Sequence, residues 1–160
     1  MAAPYPGQAG GIDVFGIVHG ILRNDRPMGD FLGIRDGDRQ TLYAVAYDLY
    51  GKGRYDLAQH LFAQLVLYDN QEPRYMKGLA AATQMLGEHE QATHMYSVAA
   101  LMDASDPAVI MHAGECFKAM GKHARAFESF DLARSLCSRP EHEQIRQRCD
   151  QALAGSKHAA

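Results

Sequence analysis

The chain has no tryptophan, three cysteines in 160 residues and no apolar run approaching a membrane span. Cys116, Cys137 and Cys149 are odd in number and show no CxxC spacing, so neither a disulfide framework nor a thiolate zinc site is indicated, and they read as reduced, packing thiols. A bilayer-crossing helix needs about 20 consecutive apolar residues, far more than any stretch here. The opening MAAPYPGQAGG lacks the basic-then-apolar build of a secretory leader, which makes retention in the cytoplasm the expectation. An excess of one charge is also missing. A formal charge of −3 and a pI near 6.2 give no general electrostatic reason to bind nucleic acid or an anionic membrane.

Motifs that carry chemistry are equally scarce. No GxxxxGK[ST] phosphate loop occurs, and RDGDRQ (35–40) lacks the ligand ladder of a calcium loop. The stretch HEQATH resembles a zinc-protease HExxH, but His89 and His94 are i, i+5, about 140° apart on a helix, and do not share one ion without distortion. Cys116 lies near Glu115 and His112, yet its apolar helical context favours a packed thiol over a nucleophile. The reading is therefore a protein without catalytic constellation, metal or cofactor.

What is present is a repeat. With 47% apolar and 22% charged residues the chain can bury one modest core, most simply as a single domain. GRYDLAQHLFAQL from 53, GEHEQATHMYSVA from 87 and GKHARAFESFDLA from 121 align without a gap at an offset of 34. Gly53, Gly87 and Gly121 coincide, as do Ala58, Ala92 and Ala126, and the aromatics Phe62, Tyr96 and Phe130. Upstream the offset joins Leu42, Met76 and Ile110, then Val45, Leu79 and Ala113, then Ala46, Ala80 and Gly114; Pro73 and Pro107 open the second and third units. The glycine permits a tight interhelical turn, the small residues allow close helix approach, and the aromatic fills the space between units. This pattern resembles the tetratricopeptide repeat, a helix–turn–helix of period 34, with Leu42, Met76 and Ile110 in place of the usual tryptophan.

The expected fold is all-α: a solenoid of three helical hairpins (39–72, 73–106 and 107–140), flanked by an N-terminal helix and a C-terminal capping helix. IDVFGIVHGILR (12–23) is strongly apolar, and a glycine-containing linker to residue 38 follows. Residues 141–154 begin with acidic first-turn residues after Pro140 and place Ile145, Cys149 and Leu153 on one face, as a cap requires. Residues 1–11 and 155–160 read as disordered tails.

First helices of such hairpins line a concave surface. In LYAVAYDLYGKGRYDLAQHLF (42–62) the face of Leu42, Val45, Ala46 and Leu49 is assigned to packing, and the row Tyr43, Tyr47, Tyr50 to the groove. The matching rows are Lys77, Ala81, Gln84 and Met111, Glu115, Lys118. Tyrosine suits a groove alternately empty and filled, because the ring buries area while the hydroxyl stays hydrated. An alternative is that these tyrosines pack under residues 12–23 and bind nothing.

The order of these features, with LYxxAYxxYxxGxYxxAxxxFxxL joined to YDxxxPRYxxGLAA over about residues 12–153, closely resembles the class II chaperones of bacterial type III secretion, the SycD/LcrH/IpgC/SicA-like translocator chaperones. The resemblance implies a non-enzymatic protein of the bacterial cytoplasm. It would hold the hydrophobic pore-forming translocators soluble and apart before export, binding an extended N-terminal segment with proline and apolar anchors. By alignment it implies groove residues Tyr43, Tyr47, Tyr50, Phe62, Leu65, Tyr68, Arg74, Leu79, Ala81, Tyr96 and His112. It further implies a homodimer, for which Ile12, Phe15, Ile17, Val18, Ile21 and Leu22 are the candidate interface, and, for some members, binding of an AraC-type transcriptional activator. Competing readings are a tetratricopeptide-repeat adaptor for an acidic C-terminal tail, which would need lysines and asparagines where Tyr43 and Tyr47 stand, a histidine-based enzyme or metal protein, and an assembly scaffold.

Overall fold

The computed structural model describes residues 26–156. Among these residues the architecture is all helical: α1 Met28–Phe31, α2 Asp36–Gly51, α3 Tyr55–Tyr68, α4 Pro73–Met85, α5 His89–Met102, α6 Pro107–Ala119, α7 His123–Leu136, a 3-10 turn Pro140–His142 and α8 Glu143–Ser156. Helices α2/α3, α4/α5 and α6/α7 form three hairpins, whose helices pack chiefly on their neighbours in sequence, while the short α1 packs on α3. The segment 12–23, its candidate dimer residues and the outermost tail residues lie outside the described residues. No described helix is long and apolar enough to cross a membrane.

The turn inside each hairpin is set by its glycine. Gly53, Gly87 and Gly121 have φ of 76°, 83° and 72°, the left-handed region that disfavours a Cβ. The next residue's N–H then reaches back to cap the first helix: Arg54 to the Leu49 carbonyl at 2.9 Å, Glu88 to Thr83 at 3.2 Å and Lys122 to Phe117 at 2.9 Å. Between hairpins, Glu72 and Asp106 accept the N–H of Arg74 (3.1 Å) and Ala108 (2.9 Å). Pro73 and Pro107 then occupy the first helical position, where a missing N–H is harmless.

The core is a string of three clusters, each spanning one hairpin and the helix that follows. The first joins Ala46, Ala58, Phe62, Leu65, Tyr75, Leu79 and Ala82; the second joins Ala80, Ala92, Tyr96, Ala99, Val109 and Cys116; the third joins Met111, Ala126, Phe130, Ala133, Cys149 and Leu153. The repeat alanines Ala58 and Ala92 are fully buried and Ala126 nearly so, which brings paired helices to close contact. Helix α8 supplies Cys149 and Leu153 to the last cluster, with Ile145 packed beside them, as the one-faced pattern predicts.

Three expectations change. The linker holds a short helix, α1, because buried Arg39 donates to Asp30 Oδ1 at 2.6 Å and to the Ile34 carbonyl at 2.8 Å, and so ties it to α2. Residues 155 and 156 continue α8 and are not tail. Val45, expected to pack, is 46% exposed, whereas its counterpart Leu79 is 9% exposed. The physical difference is that α3 precedes and covers α4, while no described second helix precedes α2.

Candidate functional site

Three first helices and two second-helix aromatics line an open cavity of about 290 Å³, on the side that the first helices of stacked hairpins make concave. Helix α2 contributes Tyr43, Tyr47 and Tyr50 from one i, i+4, i+7 row; α4 contributes Arg74, Lys77, Gly78 and Ala81; α6 contributes Ala108, Val109 and His112. Phe62 and Tyr96 reach in from α3 and α5 while remaining 2% exposed each, so they are core and cavity wall at once.

The wall is an aromatic network. Tyr43 stacks on Tyr47 with centroids 6.3 Å apart, meets Phe62 edge-on at 5.9 Å and lies 5.7 Å from Tyr75. Tyr50 meets Tyr55 edge-on at 5.2 Å. At the far side the His112 ring stacks on Tyr96 at 5.8 Å. Tyr43 is therefore fixed from several sides, whereas Tyr47 is 65% exposed and presents a large ring to whatever enters. The floor is small: Gly78 sits so close to Phe62 that an added Cβ would lie 2.4 Å from the ring.

Charges at the rim are already neutralised by the chain itself. The Arg74 guanidinium lies 5.2 Å above Tyr43 and binds both Glu72 oxygens at 3.0 Å, and this hydrogen bond holds the Glu72 carboxyl below its ordinary range. Lys77 pairs with Asp106 at 2.8 Å. Glu115 is a hub. It is bonded to His112 Nδ1 at 2.9 Å, to Gln84 Nε2 at 3.3 Å and to Arg148 of α8, and Gln84 in turn accepts from the Tyr96 hydroxyl at 2.7 Å.

Burial would push the Glu115 carboxyl up, but the His112 hydrogen bond and charge, Arg148 and Gln84 outweigh it and hold it below the ordinary 4.5. A carboxylate lowered on folding adds stability that is complete above its unfolded value and vanishes as pH falls through its folded value. Glu115→Gln is therefore expected to lower Tm at neutral pH and to converge with the parent once the pH has fallen through the folded value of Glu115. Parallel melting curves at all pH values would contradict this.

Of the expected groove residues, the cavity brings together Tyr43, Tyr47, Tyr50, Phe62, Arg74, Lys77, Ala81, Tyr96 and His112. Leu65 and Met111 are corrected to core, at 0% and 1% exposure. Leu65 faces the next helix, α4, and Met111 is covered because α8 reaches α6 as well as α7. Leu79 is likewise core, under α3. Tyr68 lies away from the cavity, its Cβ within 3.2 Å of where a Cβ on Gly29 of α1 would stand. Glu115 borders a neighbouring cavity. Sequence reasoning missed Gly78, Ala108 and Val109. Gly78 carried a signal, a glycine inside a helix where it is intrinsically unfavourable; the other two carried none.

Cys116 is fully buried, and burial, aided by Glu115, pushes its thiol up to about 11, which removes thiolate chemistry at neutral pH. Among the described residues no group of three or more histidine, cysteine or acidic side chains is placed to hold a metal.

The model of the tetratricopeptide repeat matches residues 41–71 and 74–106. The chaperone protein SicA of Salmonella typhimurium is 43% identical over 56 residues, 35% of this chain and 34% of SicA, so that alignment spans about a third of the curated relative. Pseudomonas aeruginosa PcrH, solved with the chaperone-binding region of PopB, is 37% identical, with 76% of this chain and 98% of that one covered at a TM-score of 0.73. The Yersinia enterocolitica type III secretion chaperone SycD, solved with a peptide of the translocator YopD, is 31% identical, with 79% and 97% covered at a TM-score of 0.75.

Proposed function

We propose, since this chain belongs to the class II chaperones of type III secretion, that its concave cavity binds an extended segment of the hydrophobic pore-forming translocators. Acting in the bacterial cytoplasm, it keeps them soluble and apart until export. The observation that carries this reading is an aromatic cavity that presents exposed Tyr47 and, among the described residues, has no uncompensated charge at its rim. Such a surface gains by burying apolar side chains and proline, and the hydroxyl of exposed Tyr47 is placed to bond a ligand backbone. An acidic-tail adaptor is disfavoured by the same observation. A carboxylate clamp needs free cations, and Lys77 is already held by Asp106 at 2.8 Å. A homodimer formed through Ile12, Phe15, Ile17, Val18, Ile21 and Leu22 belongs to this proposal, and those residues lie outside the described ones.

The test is co-expression with each hydrophobic translocator encoded beside the same secretion system, followed by co-purification. A soluble complex is the expected result. Tyr47→Ala, at a side chain 65% exposed, should leave stability within about 0.5 kcal/mol yet weaken the complex about tenfold, because aromatic anchors dominate such interfaces. Failure of the folded parent to retain either translocator would remove the reading.

A further inference from the structure

Beyond the aromatic cavity the concave face does not end. A second cavity of about 620 Å³ lies between α6, α7 and α8, bounded by Glu115, Lys118, Ala119, Phe130, Arg148 and Ala152. It adjoins the first through the 2.9 Å contact of His112, which lines one cavity, with Glu115, which lines the other. Its base is apolar, with Phe130 only 3% exposed. Its charge is unlike that of the aromatic cavity. Arg74, Lys77 and Arg148 are each paired with an acid of the chain. Lys118 is exposed and, among the described residues, enters no ion pair. It occupies on α6 the repeat position that Tyr50 holds on α2 and Gln84 on α4, so it stands on the groove-lining row.

We propose that this basin is a second subsite of the same groove, and that it receives an acidic residue of the bound segment on Lys118, next to a small or apolar residue on the Phe130 base. The inference rests on the groove reading given above and extends it to the sequence chemistry of the ligand. The spacing follows from helix geometry. Lys118 lies six residues beyond His112 on α6, about 9 Å at 1.5 Å per residue, and an extended chain covers that distance in about three residues. An acid placed about three residues past the last apolar anchor, on one side of the anchors only, therefore meets the free ammonium. An acid within the anchored stretch instead meets cations that are already compensated. The second site thus adds a direction to a groove whose aromatic part distinguishes apolar from polar residues.

The probe is a set of fluorescein-labelled synthetic peptides, each with alternating apolar anchors and a proline. The third residue beyond the anchors, on either side, is Asp, Asn or Lys. Anisotropy titrations use the full chain, its Lys118→Glu and Lys118→Gln variants and Tyr47→Ala. On the parent, the Asp peptide of one polarity should bind about fivefold tighter than its Lys counterpart, a size suited to an exposed ion pair, with the gap shrinking as salt rises. Lys118→Glu should reverse the preference, and Lys118→Gln should abolish it. Equal binding of Asp, Asn and Lys peptides at low salt, or the same preference in Lys118→Glu, overturns the second subsite and leaves the groove standing. Peptides that bind none of the proteins, or bind Tyr47→Ala as well as the parent, overturn the groove reading and this inference with it.

Discussion

Phe62→Ala is expected to destabilise the protein by about 3–5 kcal/mol, the range for deleting a buried aromatic ring, and to open the wall of the aromatic cavity in the same step. Phe62 is 2% exposed and belongs to the cluster that joins α2, α3 and α4. Its ring also supports Tyr43 edge-on at 5.9 Å and closes the wall of the aromatic cavity. In a solenoid each unit is stabilised by its immediate neighbours, so the loss should be concentrated at the N-terminal end. Urea titration followed by circular dichroism is expected to show a lowered midpoint, and hydrogen exchange should open α2–α4 before α6–α8. Phe62→Leu, which retains most of the volume, should cost under about 1.5 kcal/mol if it repacks. Equal losses from both replacements would mean that the ring's shape matters more than the void.

Gly78→Ala carries the second large effect, and its sign is informative. Inside an exposed helix this change would stabilise by about 1 kcal/mol. Here the new Cβ would lie 2.4 Å from Phe62 Cε1 and 2.6 Å from Cδ1, closer than carbon atoms approach. The ring must move, and the space open to it is the aromatic cavity. The expected outcome is a loss of about 1–3 kcal/mol, typical of overpacking, together with loss of translocator binding. Gly114→Ala is a graded control, because its Cβ would be 3.1 Å from Phe130 and a small displacement suffices. Combining Gly78→Ala with Phe62→Leu should recover part of the stability, and the resulting coupling reports the contact directly. A stabilised Gly78→Ala protein that still binds would refute the close approach as the reason for glycine at this position.

The limits of sequence reading fall at particular residues. Tyr43, Tyr47 and Tyr50 were legible as a groove row because they share one helical face and exceed what the core of a two-helix unit requires. Met111 occupies the register of Tyr43, which predicts a place on the corresponding row, yet it is 1% exposed. Helical phase is identical in the two cases, and the difference is α8, whose Cys149 and Leu153 pack with Met111. Val45 fails in the opposite direction. Its position packs wherever the second helix of a hairpin precedes it, and α2 opens the first described hairpin.

The period of 34, the turn glycines, the alanine and aromatic positions and the prolines that open α4 and α6 are local properties. Each depends on backbone conformation or on contacts between adjacent helices, and these set the sequence pattern residue by residue. From them the all-helical solenoid follows, and with it the side of each first helix that faces the groove. Only the tertiary structure decided which of those residues line a cavity and which are core. It also decided that Gly78 makes room for Phe62, and that Lys77 and Arg148 are neutralised by Asp106 and Glu115 while Lys118 enters no ion pair among the described residues. The two ion pairs join residues 29 and 33 apart, and Gly78 meets Phe62 across neighbouring hairpins; burial and pairing there depend on the superhelical placement of one hairpin against the next, and no periodicity within a single unit encodes that placement.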